Sequence, residues 1–319
     1  MSETATPTQR PAAGERRRFS AADIERWRSD GFAFVEEFFS DEEIAPIVAD
    51  YERLYGARRP ETRQAMERKA EGQIGRFDRH QFSNIDTLPY DGSTEMNLLS
   101  LHPALIEFAK AALGAADVHL YQSHTWAKFT GEADFDQPFH CDFGNHTLTV
   151  PADEPLQRTI DFIVYLTDVT DAHGALHYVT KPDAYAVLGD GAVAAESAAD
   201  QAALKARERS GAAPAGTLVA HGIDTFHRGT NLTLPGGHRY TLTVGYKAAG
   251  NDQIGFHVWQ ASQERNWAPI LASASPEQLA ALGIPRPGDP FWTPRTLALT
   301  QARWPDWDLS PWFDRAPTR

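Results

Sequence analysis

The stretch QPFHCDFGNH, residues 137–146, sets His140 and Asp142 two positions apart just after Pro138. Side chains two apart on an extended chain share one face, so this pair can chelate one ion. In a chain with 12 histidines a single His-x-Asp is weak by itself. Its surroundings give it weight. VHLYQSHTWAKF (118–129) precedes it, and TIDFIVYLTDV (159–169), GALHYVT (174–180), GTLVAH (216–221) and RYTLTVGYKAA (239–249) follow. These are runs rich in β-branched and aromatic residues, separated by Gly, Pro, Asp and Asn clusters. Several short strands so spaced predict a sandwich or jelly roll, not a βαβ fold.

Ahead of the strands, FSAADIERWRSDG (19–31) has Ser20 to cap a short helix, Ile24 and Trp27 three apart, and Gly31 where a left-handed terminus is wanted. VEEFFSDEEIAPIVADYERLYG (35–56) repeats the grammar, with Ser40 as cap and Ile44, Ile47, Val48 and Tyr51 as the buried stripe. Residues 1–18 carry Pro, Ala, Thr and charge with nothing to bury, and are expected to be a disordered tail. Residues 19–319 are expected to form a single domain. Within it GDGAVAAESAADQAALKARERSGAAPAG, about 189–216, is helix-capable at its centre and reads as an insertion on the barrel rim, either a lid or a spacer. A C-terminal extension of turns and a short helix covers about 259–319.

Composition removes several function classes. With 30 Lys and Arg against 43 Asp and Glu, the net charge of −13 offers no footprint for a phosphate backbone, so nucleic acid is not an expected partner. No apolar run approaches the ~18 residues of a membrane span. Cys141, the single cysteine, cannot form an internal disulfide, and the first residues lack a signal peptide's apolar core; a cytoplasmic protein, monomer or homodimer, is expected.

The second half of the constellation is HGIDTFHRGTNLTLPGGHRYTLTVGY, residues 221–246. It supplies His227 at a strand end, a turn through Asn231, Pro235, Gly236 and Gly237, and Arg239 opening the next strand. There Arg239, Thr241 and Thr243 share one face, and Tyr240, Leu242, Val244 and Tyr246 the other. If the polar face turns into a cavity, Arg239 needs an anion there, because a buried unpaired charge is costly and a carboxylate fits its forked donors best. Two histidines and one carboxylate on one side of an ion is the arrangement of non-haem Fe(II) oxygenases.

His140-x-Asp142, the distant His227 and Arg239 twelve residues beyond it resemble the signature of Fe(II)/2-oxoglutarate-dependent dioxygenases, in the phytanoyl-CoA dioxygenase-like (PhyH) branch that includes ectoine hydroxylases. The likeness extends to Gln122 and Lys128 ahead of the metal strand and to the opening helix–strand–helix, over roughly residues 19–250. The resemblance implies a mainly β fold with flanking helices, a double-stranded β-helix (jelly-roll, cupin-like) barrel. It implies Fe(II) on His140, Asp142 and His227, and 2-oxoglutarate on Arg239 with Gln122 or Lys128 assisting. O2 would be the oxidant, with ascorbate a supporting reductant, and a small-molecule C–H bond would be hydroxylated with release of succinate and CO2. Halogenases of the superfamily carry a small residue where Asp142 stands, so Asp142 speaks for hydroxylation. One departure bears on the substrate: the family's Pro-Gly-Ser-His is replaced by Thr180 and Lys181 in HGALHYVTKPDA.

Other readings stay open at this level. The chain could be a non-catalytic or differently metallated cupin-like binding protein; a zinc hydrolase would need a general base that the sequence does not offer. His221 or His238 could replace His227. His173 and His177 read as structural or pocket-lining, and Cys141 as a small core residue. Arg76, Arg79 and His80 could contact substrate from a loop draped over the site. Trp259, Trp267, Phe291 and Trp292 could wall the pocket, though ordinary packing is the simpler expectation.

Overall fold

A computed structural model describes residues 18–58, 73–74, 77–78, 84–132, 136–255 and 265–315. Helix α1 (Ala21–Asp30) starts at a reciprocal capping box between Ser20 and Asp23 and stops at Gly31, whose φ of 87° is left-handed. Strand β1 (Phe32–Val35) leads to α2 (Asp41–Tyr55), which opens on the same box between Ser40 and Glu43 and buries Ile44, Ile47, Tyr51 and Tyr55. Arg18 reaches back to Glu43 at 2.7 Å. A two-stranded ribbon of β2 (Gln73–Ile74) and β3 (Phe77–Asp78) precedes α3 (Thr94–Leu99) and α4 (Pro103–Leu113).

The strands that matter follow. They are β4 (Val118–Phe129), β5 (Thr159–Tyr165), β6 (Leu176–Tyr178), β7 (Arg209–Ser210), β8 (Leu218–His221), β9 (His227–Gly229) and β10 (His238–Ala248). Between them lie the short α5 (Phe143–His146), then α6 (Lys181–Leu188) and α7 (Ala198–Lys205). They build a five-stranded antiparallel sheet, β1-β8-β5-β10-β4, and a three-stranded one, β7-β6-β9. Tyr178 of the small sheet stacks on Phe32 of the large one at 5.0 Å between ring centroids, so the sheets face each other. Among the described residues no hydrogen-bonded ladder joins them, and the jelly roll is two facing sheets, not a closed ring.

Alternation sorts the large sheet into two faces. Ile160, Phe162, Val164, Leu218, Ala220, Tyr240, Leu242, Val244 and Tyr246 point outward into the main core against α1, α2 and α4. The inner face is a cross-strand grid set by register. One row runs Gln122, Gly245, Asp161, His221, Phe32; the next His124, Thr243, Ile163, Val219, Phe34; the third Trp126, Thr241, Tyr165; the last Lys128 and Arg239. Polar residues thus occupy the inner face of β10 and apolar ones its outer face, because helices cover the outer side and the second sheet roofs the inner one.

The chain from 189 to 216 folds against this roof: α7 sits at its centre and β7 pairs with β6. After β10, helices α8 (Ala268–Ser273), α9 (Pro276–Ala281), α10 (Pro294–Arg303) and α11 (Ser310–Phe313) pack on the helix side, and Trp267, Trp292, Trp307 and Trp312 join the main core. None of the described helices is long and apolar enough to cross a membrane.

Candidate functional site

His140 and His227 meet because their backbones pair: His140 N–H donates to the His227 carbonyl at 3.0 Å and His227 N–H to the His140 carbonyl at 2.8 Å. Both side chains then emerge on the inner side, ring centroids 4.6 Å apart. His140 Nδ1–H donates to the Pro138 carbonyl and His227 Nδ1–H to the Thr225 carbonyl, both at 3.0 Å. A proton fixed on Nδ1 leaves the lone pair on Nε2, the tautomer a metal ligand needs. Asp142, two residues after His140, brings Oδ2 to 3.8 Å from His227 Nε2. One ligand atom from each of His140, Asp142 and His227 lies within 4.8 Å of the others. Burial opposes ionisation of Asp142, yet His227, His140, His221 and His146 around it hold its carboxyl below the usual range.

Further histidines line the inner face. His221 lies 5.4 Å from His227 between ring centroids, and burial followed by the neighbouring His227 pushes it down to about 3. Burial takes His124 down to about 4. Both are neutral at physiological pH. His238, by contrast, stands beside Tyr240, with its Nε2 3.9 Å from Glu52. His173 caps its own turn through Thr170, and His177 pairs with Asp171 and Glu208.

The far end of the grid is cationic. Lys128 and Arg239 are register partners, and burial and then Arg239 push the Lys128 ammonium down to about 7, with Glu132 opposing. Lys128 Nζ lies 4.9 Å from the Trp126 ring centroid. Burial lowers Arg239 as well, and the groups acting against that are the Tyr165 and Tyr178 hydroxyls. No carboxylate among the described residues forms an ion pair with Arg239. Its Nη1, the Tyr178 hydroxyl, Thr217 Oγ1 and His221 Nδ1 are buried with no hydrogen-bond partner. Buried polar groups left without partners cost about 1–3 kcal/mol each, so a ligand that supplied them would be favoured there.

Gln122 faces a different partner. Its Nε2 donates to Asp161 at 2.7 Å and to the Tyr121 hydroxyl at 3.2 Å. Asp161 also accepts from Tyr121 at 2.7 and 2.9 Å, and burial pushes its carboxyl up to about 7 against those hydrogen bonds. Sequence reasoning missed Asp161. The signal was there: one acid at an inward position of the otherwise apolar run TIDFIVYL, where a strand buried on both faces demands hydrogen-bonding partners.

The departure at Thr180 and Lys181 is a helix start. Thr180 Oγ1 accepts from Asp183 N–H at 3.2 Å, and Lys181 Nζ is held by Asp224 at 2.7 Å. Trp267 and Trp292 are buried in the helix-side core, away from the inner face, and Phe291 is half exposed. Cys141 is partly buried and its thiol donates to the Val193 carbonyl at 3.2 Å. Arg76, Arg79, His80 and Trp259 lie outside the described residues.

Residues 27–235 match the family described as Phytanoyl-CoA dioxygenase (PhyH). An ectoine dioxygenase of Bordetella parapertussis is 31% identical over 162 residues, 50% of this chain and 48% of the relative. The chain thus spans about half the length of the curated relatives it matches. Among solved structures, EctD from S. alaskensis with 2-oxoglutarate and 5-hydroxyectoine superposes with a TM-score of 0.53 at 18% identity, covering 80% of this chain and 85% of that one. The epimerase SnoN from nogalamycin biosynthesis, in complex with Fe3+, alpha ketoglutarate and nogalamycin RO, gives 0.51 at 18% identity, over 72% and 83%. At such identity the two structures speak to the fold.

Proposed function

The chain belongs to the phytanoyl-CoA dioxygenase family, and on that premise we propose that it is an Fe(II)- and 2-oxoglutarate-dependent dioxygenase that hydroxylates an unactivated C–H bond of a small molecule. The observation that carries the reading is the convergence of His140, Asp142 and His227 on the inner side, with Arg239 on the same sheet face burying an Nη1 that has no hydrogen-bond partner among the described residues. His140, Asp142 and His227 would hold Fe(II) by one face, leaving the opposite positions open. Arg239 would receive the far carboxylate of 2-oxoglutarate, with Lys128 adding charge beside it. Bound together, the metal and its cosubstrate supply oxidation of a C–H bond by O2, with release of succinate and CO2.

The chain's own work is positional. The paired backbones of residues 140 and 227 fix the spacing of two ligands, and the two Nδ1–H donations fix their tautomers. Asp142 keeps its negative charge among histidines and would neutralise part of a divalent ion. Tyr178 packs its ring between His227 and Phe32 and would help keep water from the metal ligands. Gln122, anchored through Nε2 on Asp161, would orient cosubstrate or substrate through its carbonyl oxygen.

The test is an anaerobic titration of the purified protein with Fe(II) and 2-oxoglutarate, following the visible charge-transfer band of the chelate. Wild type is expected to show the band and Asp142→Ala to lose it. Arg239→Ala should raise the 2-oxoglutarate concentration for half-saturation about 10- to 100-fold, the worth of a charge-assisted hydrogen bond. Iron binding with no response to 2-oxoglutarate would overturn the oxygenase reading in favour of a cupin-like binding protein.

A further inference from the structure

In an extended strand, successive residues turn their N–H and C=O groups to opposite edges. In the segment that bears the first two candidate ligands, His140 turns both groups to β9. Phe139 therefore turns its pair to the other edge, where the described residues place no strand. One side chain occupies that edge. Gln201 Oε1 accepts from Phe139 N–H at 2.7 Å, and Gln201 Nε2 donates to the Phe139 carbonyl at 2.9 Å and to the Ala195 carbonyl at 2.8 Å. The amide reproduces the two-bond pattern of a neighbouring strand and spends both its donors and its acceptor doing so. Beside it, the Cys141 thiol is tied to Val193. Beneath it, Phe139, Val179, Ala184, Ala195, Leu204 and Phe226 form one buried cluster. The two residues that flank His140, Phe139 and Cys141, are thus held from outside by the chain between 189 and 216.

We infer that Gln201 is a positioning residue for the metal centre: through it, the 189–216 segment clamps the backbone of Phe139 and sets the placement of His140 and Asp142. This rests on the proposed metal role of those two residues. The clamp should act on metal affinity, beyond its effect on folding, because a ligand held within a few tenths of an ångström binds without reorganisation.

The experiment compares wild type, Gln201→Leu, Gln201→Glu and Leu297→Ala as full chains. Each is titrated anaerobically with Fe(II), and with Co(II) as a spectroscopic probe, alongside thermal melts of the metal-free protein. Leu297 is buried in the helix-side core and controls for lost stability alone. Gln201→Leu removes all three hydrogen bonds, and Gln201→Glu keeps only the acceptor for Phe139 N–H. Both are expected to weaken metal binding about 10-fold. Leu297→Ala should melt lower while binding metal within about 2-fold of wild type, a scatter small beside the 10-fold effect. Wild-type affinity in Gln201→Leu, or an equal loss in Leu297→Ala, overturns the inference. If Gln201→Leu does not fold, Gln201→Glu and amide exchange of Phe139 in wild type decide: protection supports the clamp, and exchange at an open loop's rate overturns it. Should wild type bind no metal, the proposed function fails on its own, and the inference falls with it.

Discussion

Lys128 illustrates how much a single residue depends on its register partner. A strand lysine is more often solvated, and only the family resemblance gave Lys128 a part beside the cosubstrate; β10 sets Arg239 beside it, and burial with that neighbour lowers its pKa to about 7. The sign follows. The folded protein binds fewer protons here than the unfolded chain between about pH 7 and the ordinary lysine range, so this residue's contribution to stability rises with pH across that window. Anion binding runs the other way. On the proposed function, a carboxylate between Lys128 and Arg239 favours the charged ammonium, so Lys128 should take up a proton when 2-oxoglutarate binds near pH 8, and binding should weaken as pH rises above about 7. Dissociation constants of the metal-loaded protein from pH 6.5 to 9 check this; a flat profile in wild type, or the same slope in Lys128→Met, would refute it. Arg239 stood out in the sequence through its place twelve residues after His227 and at the start of a strand with one polar face, though that pattern alone did not say which face is buried. Asp161 was not, because its environment is made by Tyr121 and Gln122 from another strand.

At the scale of elements, β4 matches its sequence boundaries, since VHLYQSHTWAKF alternates and is bracketed by turn residues. Both helix caps, Ser20 and Ser40, were legible for the same local reason, and the structure completes each as a reciprocal box with the residue three positions on. Strand β10 shows what pattern omits. Its register shifts between Gly245 and Tyr246, and Gly245 stands where an added Cβ would meet Asp161 Oδ1 at 2.3 Å, Gln122 Cγ at 2.6 Å and Tyr121 Cε1 at 2.8 Å. The glycine makes room for the buried carboxylate cluster. Gly245→Ala should therefore cost about 1–3 kcal/mol, as overpacked interiors do. A denaturant midpoint equal to wild type would show that the cluster shifts aside freely. The 189–216 segment is the converse case: its central helix was readable from composition, but its grip on Phe139 was not, because that grip is made through side-chain hydrogen bonds across more than sixty residues.

For the molecule as a whole, the helix-side core carries the weight, and the C-terminal helices are part of it. Trp292 is 2% exposed, packs edge-on against Trp307 and Trp312, and donates its indole N–H to the Pro285 carbonyl at 2.8 Å. Trp292→Ala should lower the folding free energy by about 3–5 kcal/mol. If residues 19–319 form one domain, that loss will appear as a single earlier transition, with far-UV signal and metal release coinciding. Two separate transitions would show that the C-terminal helices unfold independently of the sheets. The sheet faces explain why such a change can spare the site: Trp292 packs on the outer face, and the candidate ligands stand on the inner one.

The sequence by itself determined what depends on neighbours along the chain: the β-rich runs, the helix caps, the two faces of β10, and the shared face of His140 and Asp142. It also carried the spacing of His227 and Arg239 that marks the family. Only the tertiary structure decided which side of the large sheet helices cover, that β9 pairs with the segment at His140, that Lys128 and Asp161 are buried, and that Gln201 stands in for a missing strand. The physical reason is range. Backbone conformation and capping are fixed by residues within one turn or one strand, whereas burial, pKa and ligand geometry are set by whatever the rest of the chain brings within a few ångströms.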